Sequence, residues 1–187
     1  MTLVLQYSTG VAWQSEVIRR MCHSPFSHVD IVLEGEGLLG ASGPDKTAKM
    51  ISPGGGMVIP DEGGVRVRPF DPWPYKERPR RLTIRSNDPT DDFLHARIIE
   101  LARAQIGKPF DDGALYDFLS SHPGDRDWRS QDKWFCSELV VWCCETCGLF
   151  PWSLISPKNR VTPADSIMLF NPLVSSADIA DFVGGAA

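Results

Sequence analysis

The sequence predicts an α+β fold in which a small antiparallel sheet packs on one buried helix. Three observations carry this. Five short strand-like runs, mostly neighbours along the chain, lie within the first 86 residues. Two clearer helical patterns follow them. The later of these is apolar all round, and a helix with no polar face belongs inside the protein. With 187 residues, 42% hydrophobic and 23% charged, the chain has the size and composition of one globular domain, which sets aside disordered, collagen-like and coiled-coil classes. No repeat of 20–50 residues is visible.

Thr2 to Gln6 is apolar enough for a first strand. Val11, Val17, Ile18 and Met21 recur at helical spacing until Pro25 stops the pattern, so Val11 to Met21 is a helix. Ser27 to Leu33 alternates, with His28, Asp30 and Val32 on one face and Val29, Ile31 and Leu33 on the other. Gly37 to Ser42, Val65 to Phe70 and Arg81 to Ser86 are further strands, the second reading Val-Arg-Val-Arg in the manner of a half-buried one. Residues 43–64 are interrupted by Pro53-Gly-Gly-Gly56 and Gly63-Gly64 and read as an irregular insertion, a long loop. Pro69 to Pro79 holds too many prolines for a helix and is an extended connection.

Thr90 or Asp91 caps a helix from Asp92 to Ile106, which Gly107 ends and Pro109 keeps from resuming. The buried helix starts near Cys136 and ends near Gly148.

Lys and Arg number 19 against 24 Asp and Glu, a net charge of −5 that disfavours nucleic-acid binding. The N-terminal residues lack the basic region and the 7–15-residue apolar core of a signal peptide. The longest apolar run, Leu139 to Cys144, is far short of the ~20 residues of a membrane helix. Four of the five cysteines crowd between Cys136 and Cys147, which is no framework for stapling distant loops and fits a reducing compartment. A soluble cytoplasmic protein with no cofactor is the expectation, a virion setting being the alternative location.

Chemistry can live at Trp134-Phe-Cys-Ser-Glu-Leu139. A thiol at a helix N-terminus feels the positive end of the macrodipole and free backbone N–H groups, both of which favour thiolate over thiol. Cys136 is therefore the candidate nucleophile. Of the four histidines, His95 falls in the polar first turns of a helix and His122 in a Ser-Ser-His-Pro-Gly loop, both expected on the surface; His23 precedes Ser24-Pro25 in a turn. His28 alone sits on a strand among apolar neighbours, where an imidazole can be held rigidly. Cys143, Cys144 and Cys147 read as core thiols, since their helix offers no second ligand pair for zinc. Glu138 reads as a helix-start carboxylate.

Ser27-His-Val-Asp-Ile-Val32, followed far downstream by Phe135-Cys-Ser-Glu-Leu-Val140, resembles the circularly permuted branch of the NlpC/P60 papain-like superfamily, the YiiX/YebB-like group, in which histidine precedes cysteine. Pro25-Phe-Ser-His28, Gly107-Lys-Pro-Phe-Asp111 and Val161-Thr-Pro-Ala-Asp165 are similar to further motifs of that group, in its order. The resemblance covers most of residues 1–170 and implies a permuted papain-like fold with Cys136 as nucleophile and His28 as base. The sequence departs from the pattern at the third polar residue, which the group carries about a dozen positions after the histidine to orient it. Gly40 falls there. Ser42, two positions on, and Asp30, on the face of His28 itself, are the candidates to replace it.

The function expected is a cysteine-dependent hydrolase or acyltransferase acting on an amide or ester of a cell-wall peptide or a lipid-like acyl group, through a Cys136 acyl-enzyme. The oxyanion donors are the Cys136 backbone N–H and one further group. The alternative is a non-catalytic binding or assembly module, for which a phage or prophage origin is one setting, that has kept the fold and lost its third residue.

Overall fold

The central strand of the sheet, β2 (His28–Leu33), hydrogen-bonds antiparallel to β1 (Leu3–Ser8) on one side and to β3 (Gly37–Ser42) on the other. β6 (Gly64–Arg68) extends the sheet beyond β3, and β7 (Arg80–Ile84) closes its other side against β1. The order β6-β3-β2-β1-β7 is antiparallel throughout. This computed structural model describes residues 2–51, 58–61, 63–70, 75–84, 91–113, 132–149 and 161–173, with only the backbone path described for 45–51 and 58–61.

Four α-helices lie among the described residues: α1 (Trp13–Cys22), α2 (Asp91–Arg103), α3 (Cys136–Thr146) and α4 (Pro163–Phe170). The pleat decides what they cover. Tyr7 pairs with Val29 and Leu5 with Ile31, and these residues enter one core with Leu33, Leu39, Ala41, Val65, Leu82 and Ile84. α3 supplies Leu139, Val140, Cys143 and Cys144 to that core, and α2 supplies Ile98, Ile99 and Ala102. The helix that is apolar all round is thus the one enclosed. The chain is α+β, with a five-stranded antiparallel sheet packed on a buried cysteine-bearing helix.

The strands expected from alternation match to within about two residues at each end. Gly107 and Gly148 follow their helices with φ of 92° and 81°, a backbone region that suits glycine and stops a helix. Elsewhere the structure differs from expectation. Residues 43–64 are not wholly irregular, because β4 (Asp45–Ile51) and β5 (Val58–Asp61) pair antiparallel as a separate two-stranded sheet. The residues of the two strands satisfy each other's backbone groups. The stretch between them lies outside the described residues, as do 71–74 of the Pro-rich connection. The helix expected from Val11 begins at Trp13 and buries only Ile18, while Val11 and Met21 are exposed. His95 is buried rather than solvated, its Nδ1 accepting the Leu3 backbone N–H at 3.2 Å. His122 lies outside the described residues.

Candidate active site

Three motifs widely spaced in sequence converge on the start of α3. Val65 donates its N–H to the Lys108 carbonyl and accepts the Gly107 N–H, each at 2.9 Å, which attaches this segment to β6. Two residues on, Trp134 donates to the Pro109 carbonyl and Asp111 donates to the Trp134 carbonyl, each at 3.1 Å. Phe110 packs on Phe135 at 5.6 Å between ring centroids. From the far side, Ser137 Oγ donates to the Val161 carbonyl at 2.7 Å. Thr162 next to it caps α4, its Oγ1 accepting the Asp165 N–H while Asp165 accepts the Thr162 N–H. Glu138 Oε2 accepts the Phe135 backbone N–H at 3.4 Å. Cys136, the first residue of α3, is thereby held from both sides and buried.

His28, the first residue of β2, is placed with similar care. Thr9 Oγ1 donates to the Pro25 carbonyl at 2.7 Å, Ser27 N–H donates to Ser8, and the Phe26 ring packs on Tyr7. The chain therefore enters the strand in one register, with Ser8 opposite His28 and Gln6 opposite Asp30.

The His28 ring hydrogen-bonds to the side chain of Cys136. Its Nε2 lies 2.9 Å from Asp30 Oδ1. Arg68 on β6 donates from Nη2 to the same Oδ1, and this Nη2 lies 3.1 Å from His28 Nε2. Guanidinium nitrogen has no lone pair to offer. With Nε2 carrying its hydrogen, the two nitrogens are donors sharing one acceptor, and Nδ1 is left for Cys136. Asp30 and Arg68 are each only 1% exposed. Burial opposes the charged imidazole, but the Asp30 carboxylate and Cys136 outweigh it and raise the His28 pKa to about 9. Burial likewise works against the Asp30 carboxylate, yet Arg68 and His28 hold its pKa below the ordinary value. Burial above all, with the neighbouring cysteines adding to it, pushes the thiols of Cys143 and Cys144 up, which suits core residues.

Of the residues singled out in the sequence, Cys136, His28 and Asp30 meet and Ser42 does not join them. The β2–β3 register, carried on from Ile31 and Leu39, sets Ser42 across from His28. Its buried Oγ nevertheless has no hydrogen-bond partner among the described residues. Gly40 falls across from Asp30 in the same register, and a Cβ built on it would overlap Asp30 Oδ1 and come within 3.1 Å of its Cγ and 3.4 Å of Arg68 Nη2. The carboxylate beside His28 occupies the space a side chain at position 40 would need. Sequence reasoning missed Arg68, which alternation assigned to the wetter face of a half-buried strand. The available signal was that Arg66 and Arg68 share the face of His28 and Asp30 once β6 pairs with β3.

No family profile matches the chain, and no curated protein does. Among solved structures it is similar to the protein YiiX of Escherichia coli O157:H7, described as a metalloprotein, with 18% identity and a TM-score of 0.51. The alignment covers 79% of this chain and 66% of YiiX, so the chain spans less than two thirds of its neighbour. At that identity the likeness concerns the fold: this α+β chain, a cysteine helix packed on an antiparallel sheet, shares its architecture with YiiX.

Proposed function

We propose that the chain is a permuted papain-like thiol enzyme of the NlpC/P60 type, a hydrolase or acyltransferase that cleaves an amide or ester through Cys136. The observation that carries this reading is the hydrogen-bonded series Asp30, His28, Cys136, in which nucleophile, base and orienting carboxylate follow one another as the chemistry requires. His28 takes the Cys136 proton, and the sulfur attacks the substrate carbonyl carbon as the C=O π pair moves onto oxygen. Collapse of the tetrahedral adduct expels the amine or alcohol, which leaves with the proton from His28. Water or another acceptor, deprotonated by His28, then attacks the thioester and frees Cys136. Asp30 keeps Nε2 protonated, so that Nδ1 presents its lone pair to the thiol. The Cys136 N–H at the start of α3 is one oxyanion donor. Cell-wall peptides and lipid-like acyl groups are the substrate classes this family resemblance suggests.

No step runs through a metal, although the neighbour YiiX is described as a metalloprotein. The residues present do not fit one. The adjoining donors, His28 Nε2 and Asp30 Oδ1, already share their contact with a buried guanidinium, and a cation bound there would face a fixed positive charge. Among the described residues no group of three or more His, Cys, Asp or Glu is arranged to hold a metal. The alternative of a degenerate module rested on Gly40, and it loses that support because Asp30 fills the place left by the missing side chain.

Iodoacetamide labelling of the folded protein, located by peptide mapping, tests the reading. Cys136 is expected to react ahead of Cys143 and Cys144, and His28→Ala to slow that reaction at least tenfold at neutral pH. A Cys136 that labels only on unfolding, or at the same rate without His28, refutes it.

A further inference from the structure

Arg68 is the charged group of the site that the scheme above leaves without a task. Guanidinium stays protonated at every pH at which the protein is folded, and a charge buried this deeply is ordinarily retained only in a close pair. Around His28, among the described residues, β2 supplies Asp30, α3 supplies Cys136 and β6 supplies Arg68, with Arg66 on the same face across from Gly40, whereas β1 and β3 present the uncharged Ser8, Gln6, Gly40 and Ser42. Among the described residues, Asp30 has two cationic partners, His28 and Arg68. If His28 were the sole counter-ion of a buried carboxylate, its proton would be held more tightly still, and the ring would return it to a leaving group less readily.

We propose that Arg68 is a positioning residue, the fixed counter-cation that anchors and neutralises Asp30 in the space opened by Gly40, leaving His28 free to take up and return the Cys136 proton. The proposal rests on the reading of His28 as the base. The geometry carries it: one carboxylate oxygen accepts from both nitrogens, and the guanidinium lies 3.1 Å from the ring. When the thiol is ionised, the cluster holds two positive and two negative charges. Arg68 makes that balance.

The test is the titration of the His28 ring followed by NMR, with the signal assigned by its loss in His28→Gln. The midpoint in the unaltered protein is expected at about 9. Taking away a positive charge stabilises every nearby protonated group, so Arg68→Met should move the midpoint upward by about one unit or more, as Coulomb attraction at this range in a buried site requires. Arg68→Lys should bring it back toward the original value. Asp30→Asn should move it the other way, toward the ordinary imidazole value of ~6.5. A merely structural role for Arg68 would not produce shifts of opposite sign from the two members of one pair. Should Arg68→Met fail to fold, Arg68→Gln keeps a hydrogen-bond donor without the charge and must give the same upward shift. An unmoved or lowered midpoint in a folded, neutral variant overturns the proposal. Iodoacetamide labelling of the unaltered protein separates the two readings: a Cys136 indifferent to His28 sinks the base assignment, whereas a His28-dependent Cys136 with an unmoved midpoint sinks only the role of Arg68.

Discussion

Replacing Gly40 by alanine gives a sharp test of the site's construction, because two physical arguments predict opposite signs. Gly40 does not have the positive φ of the turn glycines, so its backbone conformation is open to alanine. On backbone grounds alone, a Gly→Ala change in such a conformation stabilises by about 0.4–1 kcal/mol through the unfolded state. Against this stands the contact that the new methyl would make. It would overlap Asp30 Oδ1 and crowd Cγ at 3.1 Å and Arg68 Nη2 at 3.4 Å. Asp30 has only two side-chain torsions, and the oxygen that must move is the one accepting from both His28 and Arg68. Breaking a buried ion pair typically costs about 3–5 kcal/mol, so the net expectation is a loss of roughly 2–4 kcal/mol. Urea denaturation at pH 7, followed by tryptophan fluorescence with unchanged m-value as a control, measures it. The His28 midpoint should also fall in the folded variant. A Gly40→Ala protein as stable as the original, with His28 titrating unchanged, would refute the account of Asp30 as the group that fills this space.

The same cluster makes stability depend on pH. Because the His28 pKa is raised from 6.5 to about 9 on folding, its contribution is fully present below pH 6.5, fades as pH rises and is gone above about 9. The full shift corresponds to about 3 kcal/mol at ~1.36 kcal/mol per unit, with Asp30 the other half of the same interaction and not an addition to it. Denaturation from pH 6 to 9 should show the protein losing most of this relative to Asp30→Asn, in which only the Cys136 contribution to the raised pKa remains; parallel curves would contradict the pairing. Ser42→Ala should leave both the His28 midpoint and the Cys136 labelling rate within error, since Ser42 Oγ has no partner among the described residues; a large effect would reinstate it as the third member. Ser137→Ala should lower stability by about 1–2 kcal/mol, because it strands the buried Val161 carbonyl that Ser137 serves at 2.7 Å, and an unchanged urea midpoint would show that the tie between α3 and the Val161–Asp165 segment is idle.

Local chemistry was enough to read the five-stranded sheet and helices α1 to α3, but not β4, β5 or α4. Alternation in Ser27-His-Val-Asp-Ile-Val32 placed His28 and Asp30 on one face, and the unbroken apolar run through Val140 and Cys144 marked α3 as interior. Both signals arise from residues near one another in the chain, where strand and helix periods dictate which side chains share a surface. The candidate nucleophile was legible for the same reason, since Cys136 stands at a helix start that its own neighbours define. Only the tertiary structure separated the two candidates for the third residue. Asp30 and Ser42 were equal candidates by strand parity, and what separates them is the ring geometry at Nε2 and the buried guanidinium on Oδ1, neither of which parity encodes. Arg68 lay hidden because Val-Arg-Val-Arg has the same pattern whether its arginines meet water or a buried carboxylate. Gly40 read as a loss for an allied reason: the absence of a side chain acquires meaning only when strand pairing shows whose atoms fill the space. Across-sheet contacts depend on register and on which strands become neighbours, and these follow from the packing of the whole chain rather than from any one stretch of it.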